Sequence, residues 1–276
     1  MMITGLCAFP LSSQAKDTLT WLMRDMPPVT IAAGPYQGQG AIDRMMPLLI
    51  ARMPQYDHTL MQVNRARGLQ MLNEPGFTCD PTLLWTAARA KTILFSIPTY
   101  VVFSNGLIVR KEQMPQIAPF VSDGQVDLRT LLASQTLKLG IVAERSYGTV
   151  IDEILSKAPA DELKQHYGNS AIGSMLQMER LGRLQAMLAY WPEARYQALQ
   201  QGIDESELTF LPINDVPKYQ YTHIGCSNTE QGRAAMVVIN REMRELRESL
   251  KSLYAEWLDP VRRAEYLQDS AGFFKD

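Results

Sequence analysis

Two short clusters combine residues that bind anions. Trp85-Thr86-Ala87-Ala88-Arg89 follows an apolar stretch, so Thr86 can cap a helical turn from which Arg89 projects. A guanidinium there offers two parallel N–H donors, the geometry that receives a carboxylate. Glu144-Arg145-Ser146-Tyr147-Gly148 lies between the apolar run Leu137 to Val142 and a helical pattern. In an open α/β sheet, ligands bind beyond the carboxyl ends of strands, where a helix N-terminus offers unpaired N–H groups to an anion. Each cluster also has a plain reading: a solvated arginine in the first case, an ordinary capping loop in the second.

Other chemistry is poorly represented. The sequence contains no GxxxxGK[ST], HExxH or GxSxG motif, and Gly38-Gln39-Gly40 with Asp43 lacks the third glycine of a dinucleotide fingerprint. His58, His166 and His223 are isolated in sequence. The 27 basic and 29 acidic residues give a net charge of -2, which argues against nucleic acid as a partner. No cofactor or metal site is expected. Of the 3 cysteines, Cys7 lies in an N-terminal stretch free of Asp, Glu, Lys and Arg that ends at Ser13-Gln14-Ala15. That stretch, residues 1–15, reads as the remnant of a secretory signal cleaved after Ala15, its charged front end missing through a late start or trimming, with an ordinary buried N-terminal strand as the alternative. Cys79 and Cys226 then remain, as a disulfide or as two separate buried thiols, the other alternative being a metal site using His223 and Cys226 that lacks a further ligand pair at zinc spacing.

The elements that must position these residues alternate between strand and helix. Thr18 to Met23 reads as a strand, and Asp43 as the N-cap of a helix through Met53. Asn64 caps a second helix from Arg65 to Leu72, and Phe77 to Leu84 is extended, with strands following at Ile93 to Phe95 and Val101 to Val109. Polar Lys111 to Asp127 reads as a connection, after which a second α/β set runs to Ile213. Met236, Ile239, Met243, Leu246, Leu250, Leu253 and Trp257 form one apolar stripe, predicting a long helix docked on its own domain. The longest internal run without charge, Thr92 to Val109, is broken by Pro98 and Asn105-Gly106, so it does not span a membrane.

Gly40 to Asp43, Thr86-Ala87-Ala88-Arg89, Phe95-Ser96-Ile97-Pro98-Thr99-Tyr100 and Val109-Arg110-Lys111, in that order, resemble bacterial periplasmic solute-binding proteins of the polar amino-acid type (family 3). Leu139-Gly140-Ile141-Val142 with Ser146, and Gly182-Arg183-Leu184, are similar to that family's second lobe. With Cys79 and Cys226 added, the pattern is similar to a proteobacterial branch. The resemblance, from about Thr18 to Leu250, implies an α/β, two-lobe type II periplasmic-binding-protein-like fold, each lobe a mixed sheet flanked by helices. Lobe 1 is expected to comprise 16–110 and 216–276, and lobe 2 the inserted 111–215. It implies that Arg89 grips a ligand carboxylate and that Ser146 lies near it. The family's acid for a ligand ammonium appears here as Tyr190, and its serine-rich strand keeps only Thr82.

The resulting expectation is a monomeric periplasmic protein that captures a small carboxylate-bearing ligand between its lobes, for an ABC-type importer, without catalysis. A dehydratase-like enzyme acting through Glu144, or a sensory module for a membrane receptor, is the alternative on the same fold. Expected ligand contacts are Arg89, Thr86, Trp85, Thr82, Asp25, Tyr36, Arg145, Ser146, Tyr147 and Tyr190, with Trp21 as a further aromatic wall and Asp25 as the remaining acid. The returning segment Tyr219 to Cys226 can lie beside the strand that holds Cys79, giving a Cys79–Cys226 disulfide. Expression from the full upstream start should release a chain beginning at Lys16; intact mass of the exported protein checks this, and a cytoplasmic chain retaining Cys7 would contradict it.

Overall fold

The structure, a computed structural model, describes residues 15–168 and 170–274. The N-terminal segment expected to be a signal remnant lies, apart from Ala15, outside the described residues. In chain order the elements are β1 (Thr18–Met23), α1 (Ala41–Ala51), β2 (Asp57–Gln62), α2 (Arg65–Asn73), β3 (Thr78–Leu84), β4 (Ile93–Phe95), β5 (Tyr100–Phe103) and β6 (Gly106–Arg110). Then come α3 (Met114–Ile117), β7 (Val121–Ser122), β8 (Gln125–Val126), α4 (Leu128–Ala133), β9 (Leu139–Val142), α5 (Thr149–Lys157), β10 (Leu163–His166), α6 (Ala171–Arg180) and β11 (Ala186–Ala189). The chain ends with α7 (Trp191–Gln200), β12 (Leu208–Leu211), β13 (Tyr219–Ser227), α8 (Glu230–Ala255) and α9 (Pro260–Asp269).

Two mixed sheets divide the molecule into two lobes. The first runs β2-β1-β3-β13-β4 with β5 also on β13; β2, β1 and β3 are parallel, and β13 is antiparallel to β3, β4 and β5. The second runs β10-β9-β11-β6-β12, with β10, β9 and β11 parallel and β6 antiparallel to β11 and β12. Strand β6 pairs wholly in the second sheet, so the chain crosses at Ser104-Asn105, before Gly106, rather than after Arg110 as expected. The polar segment from Lys111 is likewise part of lobe 2: it carries α3 and the β7–β8 pair, and buries Ile117 and Val126 in that lobe's core. Ser104 N–H donates to Lys218 O at 2.9 Å and Asn105 Nδ2 to Gln220 Oε1 at 3.2 Å, so the two crossovers run side by side.

Local chemistry explains the element ends. Gly40, not Asp43, is the N-cap of α1; Asp43 stands three residues in, and its Oδ2 accepts from Gly40 N–H at 3.0 Å and Ile31 N–H at 2.8 Å. A Cβ at Gly40 would collide with the Val29 carbonyl, which the close loop-to-helix approach does not allow. Asn64 caps α2 as expected, accepting from Arg67 N–H at 2.9 Å. The apolar stripe of α8 buries Met236, Ile239, Met243, Leu246, Leu250 and Leu253 in the lobe 1 core with Leu49 and Met45 of α1. Strands β2 and β10 are edge strands whose residues are all exposed or half-buried, so no alternation marked them in the sequence.

Cys79 and Cys226 form a disulfide between directly opposed positions of β3 and β13, their Cα atoms 4.1 Å apart, the close spacing available to antiparallel partners. It joins positions separated by 147 in sequence, and the segment between them contains all of lobe 2. Replacing both cysteines by alanine is expected to lower the unfolding free energy by about 2–5 kcal/mol, measured by urea unfolding without reductant; an unchanged midpoint would show that the bond adds nothing.

Glu179 of α6 is 1% exposed, neither of its oxygens has a partner among the described residues, and burial, only partly opposed by Arg110, raises its pKa to about 8. Its protonated form suits the fold, so this contribution is full below pH 4.5 and is lost as pH rises toward 8, where the unfolded chain gains by ionising. Glu179→Gln should therefore gain on the native protein between those limits, by up to about 1.4 kcal/mol per pH unit, in urea unfolding at matched pH.

Candidate functional site

Three parallel strands of lobe 1 and one strand of lobe 2 end at the interlobe cleft, and an arginine follows each. Arg24 comes directly after β1, Arg65 starts α2 after β2, Arg89 lies in the turn after β3, and Arg145 follows β9 of the other lobe. All four line one narrow cavity, together with Thr82, Thr222, Tyr190 and Glu193. Met26, Val29, Leu83 and Val102 give it apolar walls. An adjoining cavity shares Arg24, Arg65, Arg145 and Glu193 and adds Asp25 and Glu144.

Two buried carboxylates neutralise two of these cations. Asp80 receives Arg24 in a fork, Nε to Oδ2 at 2.7 Å and Nη2 to Oδ1 at 3.1 Å, and Arg24 also donates to the Thr82 carbonyl. Glu193, in the first turn of α7, receives Arg145 in a second fork with both bonds at 2.7 Å. Burial opposes the charge on Arg145, but the charge and hydrogen bonds of Glu193 outweigh it and hold the guanidinium above its ordinary pKa. Arg145 also lies 5.9 Å from the ring centres of Tyr147 and Tyr190, and its buried Nε–H has no partner among the described residues.

Arg65 and Arg89 have no acidic partner among the described residues. Burial, then repulsion from Arg24 and Arg145, pushes Arg65 well below the ordinary arginine pKa; burial and Arg24 lower Arg89 in the same sense. Arg89 donates to the Leu84 carbonyl at 3.1 Å and, across the cleft, to the Glu144 carbonyl at 3.4 Å. Its own N–H is capped by Thr86 Oγ1 at 3.1 Å.

The structure brings some of the expected contacts together and separates others. Arg89, Arg145, Ser146, Tyr190 and Thr82 line the first cavity. Trp85, 49% exposed, and Thr86 line an outer groove with Arg89. The Ser146 hydroxyl donates to Asp152 and accepts from Gly148 N–H at 3.2 Å, so its proton is already committed. Tyr147 is wholly buried in lobe 2, where its hydroxyl accepts from Val142 N–H at 2.7 Å. Asp25 faces only the adjoining cavity and accepts from Ala32 N–H at 3.0 Å. Tyr36 lies apart, edge-on to Tyr196 and Trp257 in a different groove, and Trp21 is buried against His58, to which it donates at 3.0 Å. Arg24, Arg65 and Glu193 join the site without having been expected there. The signal that could have found the arginines was their position, one to three residues beyond parallel strands whose carboxyl ends open on the cleft.

Among the described residues, no group of three or more His, Cys, Asp or Glu could hold a metal ion, and no helix is long and apolar enough to cross a membrane.

No family model matches the sequence, and no curated protein matches it. The structure is similar to a histidine kinase sensor domain with similarity to periplasmic binding proteins, at TM-score 0.66 and 12% identity, covering 88% of this chain and 96% of that one. It is similar to a structure described for glutathione import via GshT and the cystine ABC importer TcyBC of Streptococcus mutans, at TM-score 0.66 and 13% identity, covering 90% and 99%. A third is the amino acid ABC transporter substrate-binding protein AbpA from Streptococcus pneumoniae bound to L-arginine, at TM-score 0.63 and 16% identity, covering 87% and 94%. The chain thus has the two-lobe periplasmic-binding-protein-like fold, with mixed sheets flanked by helices.

Removing one partner of a buried fork strands the other charge. Glu193→Gln is expected to destabilise the protein by about 3–5 kcal/mol in urea unfolding, and adding Arg145→Met should recover most of that loss; a single variant as stable as the native protein would contradict the pairing.

Proposed function

We propose that this protein is a solute-binding protein that captures a small carboxylate-bearing ligand between its lobes outside the cytoplasm. It passes the closed, loaded form to an ABC-type importer. The observation that carries this reading is Arg89. It stands at the carboxyl end of β3, has no acidic partner among the described residues, and reaches across the cleft to the Glu144 carbonyl. A carboxylate arriving there would accept a charge-assisted fork and offset the lowered pKa that burial imposes. Closure of lobe 2 would remove the pair from water and strengthen it. The fold supports capture by closure, and its solved neighbours include a substrate-binding protein of an amino acid transporter.

A sensory role uses the same capture step, and similarity to a histidine kinase sensor domain supports it as the second reading. The two diverge only in the membrane partner. For the dehydratase alternative, Glu144 presents its backbone carbonyl to Arg89 and borders the adjoining cavity, and the carboxylate that lines the first cavity, Glu193, is forked to Arg145.

Ligand retained through gentle purification should carry at least one carboxylate by mass spectrometry. Calorimetry with that compound should show Arg89→Gln weakening binding by about 2–5 kcal/mol, with Arg129→Gln, at an exposed position of α4, as the control. Binding by Arg89→Gln within about threefold of the native protein, below about 0.7 kcal/mol, would overturn the assignment.

A further inference from the structure

We propose that the ligand carries two anionic groups, one held by Arg89 and the second by Arg65, and that the cleft discriminates against an ammonium. This rests on the carboxylate reading of Arg89 and adds a second subsite to it.

Arg65 occupies an unfavourable place unless an anion joins it. It is the first residue of α2, so its charge lies at the positive end of the helix dipole. Its only hydrogen-bond-range side-chain contact among the described residues is Met26 Sδ at 3.9 Å. The cations nearest in effect, Arg24 and Arg145, repel it, and both acids that attract it, Asp80 and Glu193, are forked to those same two arginines. A guanidinium so placed, with positive neighbours and no acid of its own, is the group that a second ligand anion would satisfy. The buried Nε–H of Arg145, which lines both cavities beside Arg65, is a further donor without a partner.

The lining between the two free cations fits a compact dianion with an apolar centre. Arg65 and Arg89 face the same cavity, and the surfaces shared with them are Met26, Val29, Leu83, Val102 and the Tyr190 ring. An ammonium would meet the opposite situation. The first cavity holds one carboxylate, Glu193, already forked, and Asp80 behind it is forked as well. Asp25 and Glu144 border only the adjoining cavity on this side, Asp25 accepting a backbone N–H and Glu144 being exposed. An α-amino acid would therefore bring a positive charge among four guanidiniums without a free carboxylate to receive it.

Calorimetry with malonate, succinate, glutarate and adipate, against the monocarboxylates of matching length and L-glutamate, tests this. For the native protein the best diacid should bind at least thirtyfold more tightly than its matched monoacid, and glutarate more tightly than L-glutamate. Arg65→Gln should shrink the diacid advantage to under threefold while leaving monocarboxylate affinity within threefold, and Arg65→Lys should keep part of the advantage. Unfolding midpoints of each variant verify that the fold is intact. Equal binding of diacids and monoacids, an unchanged ratio in Arg65→Gln, or tighter binding of L-glutamate than glutarate would overturn the inference while leaving Arg89 as a carboxylate receptor. If no carboxylate binds the native protein, or if Arg89→Gln binds them equally well, the carboxylate reading falls first and this one with it.

Discussion

Four guanidinium groups line one cavity of the cleft, two of them forked to buried carboxylates, and that imbalance organises the site. Like charges inside protein repel far more strongly than in water, so such a cluster persists only where acids, carbonyls or ligands offset it. Asp80 and Glu193 each hold one arginine in a fork, one acid in each lobe, and backbone carbonyls take part of the hydrogen bonding of Arg89. The positive charge that remains belongs to Arg65 and Arg89, and it gives the proposed ligand its sign. The forked pairs are the fixed part of the site and the unpaired cations the receptive part.

The scaffold delivers these charges by strand polarity. Because β1, β2 and β3 are parallel, their carboxyl ends lie on one edge of the first sheet, and β9 presents its own from the second. The lobes meet through specific contacts as well as charge. Gln220 Nε2 donates to the Tyr147 carbonyl at 2.7 Å, beside Gly148, whose φ of 99° and close approach to Gln220 exclude a side chain. On the outer face Trp191 Nε1 donates to Asp259 at 3.2 Å, the Arg262 guanidinium lies 5.1 Å over the Trp191 ring, and Tyr36, Tyr196 and Trp257 pack edge to face. The disulfide ties β3, which carries Asp80, to β13, which carries Gln220, within the lobe 1 sheet, so the lobe 1 side of the cleft is held by a cross-linked strand pair.

Periodicity and caps made much of this architecture legible in the sequence. The α8 stripe, the Asn64 cap and the apolar runs of β1, β3 and β9 correspond to elements of the structure, because burial and capping are local signals. The lobe boundary was misplaced since polarity at Lys111 resembles a linker, whereas β-pairing, a long-range property, assigns Gly106–Arg110 to the second sheet. Aromatic residues were equally uninformative about direction: Trp21 and Tyr147 turn into cores, and Tyr36 faces another groove. Arg24, Arg65 and Glu193 carried no motif. Their convergence is a property of strand order, which composition and spacing do not encode.

The most direct measurement is a crystal structure of the native protein grown with glutarate. The expected result is one carboxylate forked by Arg89 and the other on Arg65, with the Arg24–Asp80 and Arg145–Glu193 pairs intact and lobe 2 closed over the ligand. A cleft holding only water at saturating glutarate, or Arg65 and Arg89 turned onto protein carboxylates, would contradict the idea that unpaired arginines make this cleft a receptor for anions.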